Sequence, residues 1–278
     1  MPERAARPGL LAYRLGSLKE LTRARILEFL REPEAIFWVF IFPVLLAVAL
    51  GIAFREPATA DSAAATVGAG AGGASGGAPS GRYIDFLIPG LIGLNLMGSS
   101  IWGVGFAVVQ TRVRKLLKRF AASPMRRSDY LLALVLSRLV FLSLELVALL
   151  AAGYFLFHVT VEGSLGALLA VTLIGALSFT GIALLVAARP TTVEAASGWM
   201  NFVMLPMWIL SGSFFSYDRF PEAVHPAIRA LPLTALNDAL RAVMNEGASF
   251  ASTWGELTVL AVWGVLGFAL ALRFFRWQ

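Results

Sequence analysis

Six long apolar stretches occupy most of this 278-residue chain and constrain its fold more than any other feature. They run over Ile36–Phe54, Ile84–Val109, Leu131–Phe157, Leu165–Ala187, Gly198–Phe215 and Leu257–Phe274. Each is close to the roughly 20 residues that an α-helix needs to cross a hydrocarbon core. Because lipid cannot hydrogen-bond to an open backbone, such stretches span as helices. The sequence therefore predicts an all-α membrane protein with six transmembrane helices, organised as one transmembrane domain over 1–278.

The distribution of Arg and Lys predicts the orientation of the spans. If there are six spans, 17 of the 23 cations fall on the side that carries both termini and the loop after the second span, and five fall on the other side. The positive-inside rule then places both termini in the cytoplasm. The net charge of +6 is thus mainly a signal of topology, and no soluble domain is present that would use it to bind nucleic acid. Cysteine is absent and the two histidines lie far apart, so the sequence predicts no disulfide and no metal site.

Four segments outside the spans have distinct patterns. Residues 9–32 alternate leucines with charges, which favours an N-terminal amphipathic helix in the cytoplasmic interface. Residues 55–82 contain an Ala/Gly/Ser tract and predict a flexible external loop. Residues 111–129 contain a short basic amphipathic helix, which lies on anionic lipid or docks a cytoplasmic partner. Residues 216–253 are half apolar and broken by prolines, which favours re-entrant external helices, with a helix of about nine residues over Ala235–Val243.

Three further stretches resemble the permease subunits of type-2 ABC exporters, a family that moves drugs, lipids and polysaccharides. Tyr83–Leu91, with the sequence YIDFLIPGL, is similar to the family's entry into the second span. Leu116–Tyr130 is similar to its cytoplasmic coupling segment, although it is richer in Arg and Lys and poorer in Glu than is usual. Residues 210–241 resemble the signature that precedes the sixth span. The resemblance covers nearly the whole chain.

The resemblance implies a transmembrane subunit of an ATP-driven exporter that moves an amphipathic or lipid-linked substrate outward by alternating access. It implies a homodimer of this chain with two cytoplasmic ABC ATPase subunits, which would bind ATP and Mg²⁺, in the bacterial inner membrane. The chain itself has no Gly-Lys dipeptide and hence no phosphate-binding P-loop, so it is not expected to be an enzyme or to bind a cofactor. The ATPase-coupling positions that the resemblance implies are Arg114, Leu116, Leu117, Arg119 and Phe120. In the family, the second and fifth spans line the central path, where this chain offers Leu94, Asn95, Met97, Trp102, Phe106, Asn201, Met204 and Trp208.

Two charges fall inside the third predicted span. Arg138 and Glu145 lie seven residues apart on one helix face, about 10 Å along the axis. A charge at this depth is costly and is a functional candidate by default. Three alternatives are open for Glu145: it is protonated, it pairs with Arg138, or it binds a polar group of the substrate. We predict that it belongs to the substrate path. The alternative function is a secondary, proton-coupled transporter that uses Glu145 as its carrier, although no internal repeat supports it.

Overall fold

The computed structural model describes residues 16, 19–24, 26–27, 30–53, 83–114 and 127–274. From Pro33 onward, eight α-helices, numbered here in chain order, form one bundle. Helix α1 runs Pro33–Ile36, a π-helical Phe37–Ile41 and Phe42–Ala53, while α2 runs Tyr83–Gly98, a π-helical Ser99–Gly105 and Phe106–Val113. They are followed by α3 (Arg127–Phe157), α4 (Leu165–Val186), α5 (Val193–Leu210), α6 (His225–Arg229), α7 (Pro232–Glu246) and α8 (Trp254–Phe274). Three short 3₁₀ turns, Tyr217–Arg219, Glu222–Val224 and Phe250–Thr253, accompany them.

Each of the six predicted apolar stretches overlaps one of the long helices. Among the described residues, four helical segments are able to cross a membrane by length and composition: Tyr83–Val113, Leu136–Phe157, Leu165–Val186 and Phe250–Phe274. The apolar part of α1 is shorter, at Phe37–Ile52. The described chain is therefore an all-helical membrane bundle, and the count of six spans stays a prediction. The predicted loop 55–82, most of the coupling segment and part of the segment 9–32 lie outside the described residues.

The centre of the bundle is helix α4, which packs against α8 with the two backbones in contact. Small residues make this approach possible: a Cβ atom built on Gly267 would lie 2.6 Å from the carbonyl carbon of Gly181. A Cβ on Gly181 would in turn lie 2.7 Å from the Gly264 carbonyl oxygen. In lipid, helices associate through such van der Waals packing of small residues, since the hydrophobic effect does not favour one apolar face over another.

Helix α7 is a buried helix in the segment predicted to be re-entrant, and it packs against α2, α4 and α8. Its 15 residues exceed the predicted nine, because Pro232 pre-organises the first turn and Gly247 ends the helix with a left-handed φ of 65°. Leu233, Leu236 and Leu240 are fully buried.

The bundle has two distinct ends, which are named here by residues of α2. At the Tyr83 end, α2 begins beside residues 211–246. At the Arg112 end, α2 stops beside the α4–α5 turn.

The predicted fifth span, Gly198–Phe215, was placed too far along the chain. Helix α5 runs over Val193–Leu210, and residues 211–215 form an irregular bend. The cause is tertiary, since the Asn237 amide of α7 donates to the Ser211 carbonyl at 3.1 Å and to the Ser213 hydroxyl at 2.8 Å. The first of these bonds gives the Ser211 carbonyl oxygen the hydrogen-bond partner that a continued helix would have supplied. Gly212 has a φ of 69°, which ends the helix at no steric cost.

Candidate functional site

The predicted path residues divide into an inward-facing and an outward-facing group. Met97 and Met204 are buried in the core of the single chain, and Leu94 packs against that core. Asn201, Trp208 and Trp102 are exposed, and the Trp102 ring contacts Phe106 at a centroid distance of 5.7 Å. Helices α5 and α2 are held together from the inside, where the Met200 and Met204 side chains lie against Gly105 and Gly98. The outward group is therefore the part of the predicted path that a second molecule can reach.

The outer face of α5 is a broad apolar surface that carries one polar amide. Trp199, Phe202, Leu205 and Ile209 are each more than half exposed, and Asn201 lies among them. An amide left in lipid without a partner costs several kcal/mol by order of magnitude. This face therefore suits contact with protein, water or a polar part of a substrate better than contact with lipid alone.

Arg138 and Glu145 form a buried ion pair halfway along α3. Arg138 Nη1 lies 2.7 Å from Glu145 Oε1, and Nη2 lies 3.2 Å from Oε2, with both side chains about 5% exposed. Ser99 of α2 completes the cluster: its hydroxyl accepts from Arg138 Nη2 and lies 3.1 Å from Glu145 Oε2. Of the alternatives open from the sequence, the structure shows the pair. Both carboxylate oxygens of Glu145 are engaged within the chain.

The polar cluster continues into α1 through Asn95. Asn95 Nδ2 donates to the Val39 carbonyl oxygen at 3.1 Å, and the Asn95 carbonyl oxygen accepts from the Ser99 hydroxyl. Val39 and Ser99 both lie in π-helical segments. A π-helical turn displaces carbonyl groups from the regular ladder, and such turns are frequent at functional sites. A continuous hydrogen-bonded chain therefore joins α1, α2 and α3 near the middle of the bundle.

A second polar cluster closes the Tyr83 end. Arg241 of α7 stacks its guanidinium 3.7 Å from the centre of the Phe86 ring and donates to the Gly212 carbonyl. Its partner Asp238 lies 3.6 Å away and accepts from the Tyr217 hydroxyl at 3.3 Å. Burial raises the pKa of Asp238 to about 6, although the Arg241 charge opposes the shift. Burial also lowers the pKa of Arg241 to about 10, which leaves it charged at neutral pH.

The raised pKa of Asp238 predicts a specific dependence of stability on pH. The folded state holds its proton up to about pH 6, whereas the unfolded chain releases it near the ordinary value of 3.8. Between these values the folded state binds more protons, so the contribution of Asp238 to stability is full below pH 4 and is lost as the pH rises through 6. In thermal unfolding of the purified protein, Asp238→Asn is expected to flatten the fall in Tm between pH 4 and pH 6. Asp218→Asn, which changes an exposed carboxylate of the same segment, is the matched control and keeps the wild-type slope. Equal slopes in all three proteins would contradict the assignment.

The Arg112 end contains a contact that the sequence analysis missed. Arg112 had been counted only as a cation of the coupling segment. Its side chain is buried, and Nη1 donates to the carbonyl oxygens of Ala187 and Pro190, each at 2.8 Å. Arg114 is exposed at the end of α2, while Leu116, Leu117, Arg119 and Phe120 lie outside the described residues. Sequence offers no signal for such a contact, because its acceptors are backbone carbonyls 75 and 78 positions away. No group of three or more metal-ligating side chains occurs in the part of the chain that the structure describes.

The bundle of apolar helices, with a polar cluster inside it, defines an integral membrane protein. The comparison with protein families is specific: the family described as "ABC-2 type transporter" matches residues 16–245. The chain belongs to this family and is a type-2 ABC permease, as the resemblance predicted.

Two curated relatives are similar to the chain. ABC transporter G family member 20 of Dictyostelium discoideum is 27% identical over 189 residues, which is 66% of this chain and 26% of that protein. "Probable multidrug ABC transporter permease YbhR" of Escherichia coli K12 is 22% identical over 184 residues, which is 66% of this chain and 50% of that protein. The matched region thus spans about half or less of these relatives.

Proposed function

We propose that this chain is the transmembrane subunit of an ATP-driven exporter, which moves an amphipathic or lipid-linked substrate outward by alternating access. The observation that carries the proposal is the outward face of α5, where Asn201 stands exposed among Trp199, Phe202 and Trp208. Aromatic rings with one amide suit a ligand that is mostly apolar and carries a polar group. Family membership supports the energy source, and the printed name of one relative contains "multidrug".

The proposed complex is a homodimer of this chain with two ATPase subunits. Facing copies of α5 in a homodimer would enclose this aromatic face, remove Asn201 from lipid and form the central path. Two cytoplasmic ATPase subunits with ATP and Mg²⁺ would act on the coupling segment 111–129 and on the predicted amphipathic helix at 9–32. The Arg112 end and both termini would then be cytoplasmic, and the Tyr83 end with residues 55–82 and 216–253 would face outward. We propose that the complex lies in a bacterial inner membrane.

The alternative of a secondary transporter has less support. A proton carrier must bind and release its proton toward solvent on both sides in turn. Glu145 is buried within one chain and bonded to Arg138 and Ser99. Within the substrate path, we therefore assign substrate contact to Trp102, Asn201 and Trp208, and a structural role to Glu145.

Copurification tests the proposed energy source. Leu117→Ala together with Phe120→Ala removes two large apolar side chains from the proposed coupling helix. Anchors of this kind each contribute about 2 kcal/mol at an interface, so the double variant is expected to lower the affinity for the ATPase by at least about tenfold. The ATPase subunit recovered with the tagged permease, and its rate of ATP hydrolysis, are the measurements. Phe155→Ala with Leu156→Ala is the matched control, because it removes the same two residue types from the exposed surface at the Tyr83 end.

The outcomes of this experiment separate clearly. Loss of the ATPase from the first double variant and its retention by the control supports the coupling assignment. Full recovery of the ATPase and undiminished transport with the first double variant would refute it. If no ATPase accompanies the wild-type protein, the ATP-driven function itself is wrong.

A further inference from the structure

Arg112 stands at the last turn of α2, where the coupling segment 111–129 begins. Its side chain is 7% exposed, although it is charged and lies near the end of a helix. A buried guanidinium is costly unless its environment supplies acceptors. The acceptors here are the carbonyl groups of Ala187 and Pro190, which belong to the end of α4 and to the α4–α5 turn.

The contact has a favourable electrostatic setting. The last carbonyl groups of a helix have no partner within the helix and carry the negative end of its dipole. Ala187 is the C-cap residue of α4. A cation that binds its carbonyl oxygen therefore supplies the missing hydrogen-bond donor and also interacts favourably with the negative end of the helix dipole. Two hydrogen bonds from a charged donor are also stronger than two neutral ones. The α4–α5 turn is therefore held to α2 through one side chain.

The held turn leads directly into α5. Only Thr191 separates Pro190 from Thr192, whose hydroxyl caps α5 by accepting from the Ala195 amide. On its other side, the turn contacts α8 through Arg189, whose guanidinium lies 4.9 Å from the centre of the Phe274 ring. A displacement of the α2 terminus along its axis would consequently pull on the first turn of α5.

We propose that Arg112 is a positioning residue that transmits movement of the coupling segment to α5, the helix that carries Asn201 and Trp208. The inference rests on the proposed function, since it takes the coupling segment to be the element that the ATPase moves. Arg112 itself contacts neither the substrate nor ATP in this mechanism. It joins two elements that are distant in sequence, so that they move together.

The test uses the absence of cysteine from the chain. Ala195→Cys places one thiol on the exposed side of the first turn of α5, where an environment-sensitive fluorophore can be attached. The complex is purified with its copurifying ATPase and reconstituted in lipid nanodiscs. ATP with orthovanadate is then added, and the change in fluorescence is compared among variants. Recovery of the ATPase subunit and its basal hydrolysis rate are measured in parallel.

Arg112→Gln is expected to keep the ATPase bound and its basal hydrolysis within about twofold of wild type, while the fluorescence change falls at least fivefold. Arg112→Lys, which keeps a cation able to donate to both carbonyls, is expected to retain at least half of the change. Arg273→Gln, which removes an exposed cation from the same end, is the matched control and responds as wild type. Pro190→Gly leaves Arg112 in place and loosens its acceptor, so it tests the same link if Arg112→Gln fails to fold. It is expected to weaken the response with docking intact.

The failures are distinguishable. A wild-type response in both Arg112→Gln and Pro190→Gly overturns the inference and leaves the proposed function standing. Loss of the ATPase from Arg112→Gln also overturns it, because Arg112 would then serve docking. A wild-type permease that carries no ATPase overturns the proposed function, and this inference with it.

Discussion

Glu145→Gln is expected to destabilise the folded permease strongly, because it leaves Arg138 as a buried charge without a counterion. Removing one partner of a buried pair costs about 3–5 kcal/mol. Glutamine still offers an acceptor to Arg138 and Ser99, but the charge is gone. The yield of monodisperse protein and its thermal unfolding in detergent are the measurements. Ser143→Ala, which removes an exposed hydroxyl two residues away on α3, is the control and is expected to change neither.

The double variant Arg138→Gln with Glu145→Gln separates a structural pair from a transport residue. With both charges removed, two amides and Ser99 can bond to each other, so a large part of the lost stability is expected to return. The coupling energy in this double-mutant cycle should therefore be large, on the order of 2 kcal/mol or more. Wild-type stability of Glu145→Gln with reduced transport would contradict this view and would return Glu145 to the substrate path.

Gly267→Ala is expected to disrupt the packing of α8 on α4. The added Cβ would lie 2.6 Å from the Gly181 carbonyl carbon and 2.8 Å from the Ile182 nitrogen, both of them backbone atoms that cannot rotate away. The helices must separate, and overpacking of this kind costs about 1–3 kcal/mol. Thermal unfolding of the purified protein, together with the yield of folded protein, measures the effect.

Gly255→Ala is the matched control for this substitution. It lies in the same helix, and an added Cβ there meets nothing within 4 Å. Alanine is a better helix former than glycine by about 1 kcal/mol, so this control is expected to be neutral or stabilising. The two substitutions should thus differ in sign. Equal effects would mean that α4 and α8 do not pack as closely as described.

The positions of the helices could be predicted from the sequence because lipid imposes one rule on every span. The stretch Leu165–Ala187 became a helix over Leu165–Val186, since an apolar run of that length has no other way to satisfy its backbone. The pairing of Arg138 with Glu145 was one of three alternatives, because residues seven apart share a helix face. Membership of the transporter family was likewise visible in local residue patterns that are contiguous along the chain.

The tertiary structure decided what those local patterns do not contain. The end of α5 at Leu210 follows from hydrogen bonds that Asn237 makes to residues 24 and 26 positions away. The Arg138–Glu145 ion pair is completed by a hydrogen bond from Arg138 to the Ser99 hydroxyl of another helix. The buried contact of Arg112 depends on carbonyl groups of a distant turn, which have no side-chain signature. Sequence by itself determined where the chain is apolar and helical, because these are properties of single segments in lipid. The structure decided which polar groups meet inside the bundle, because that depends on how the segments pack against one another.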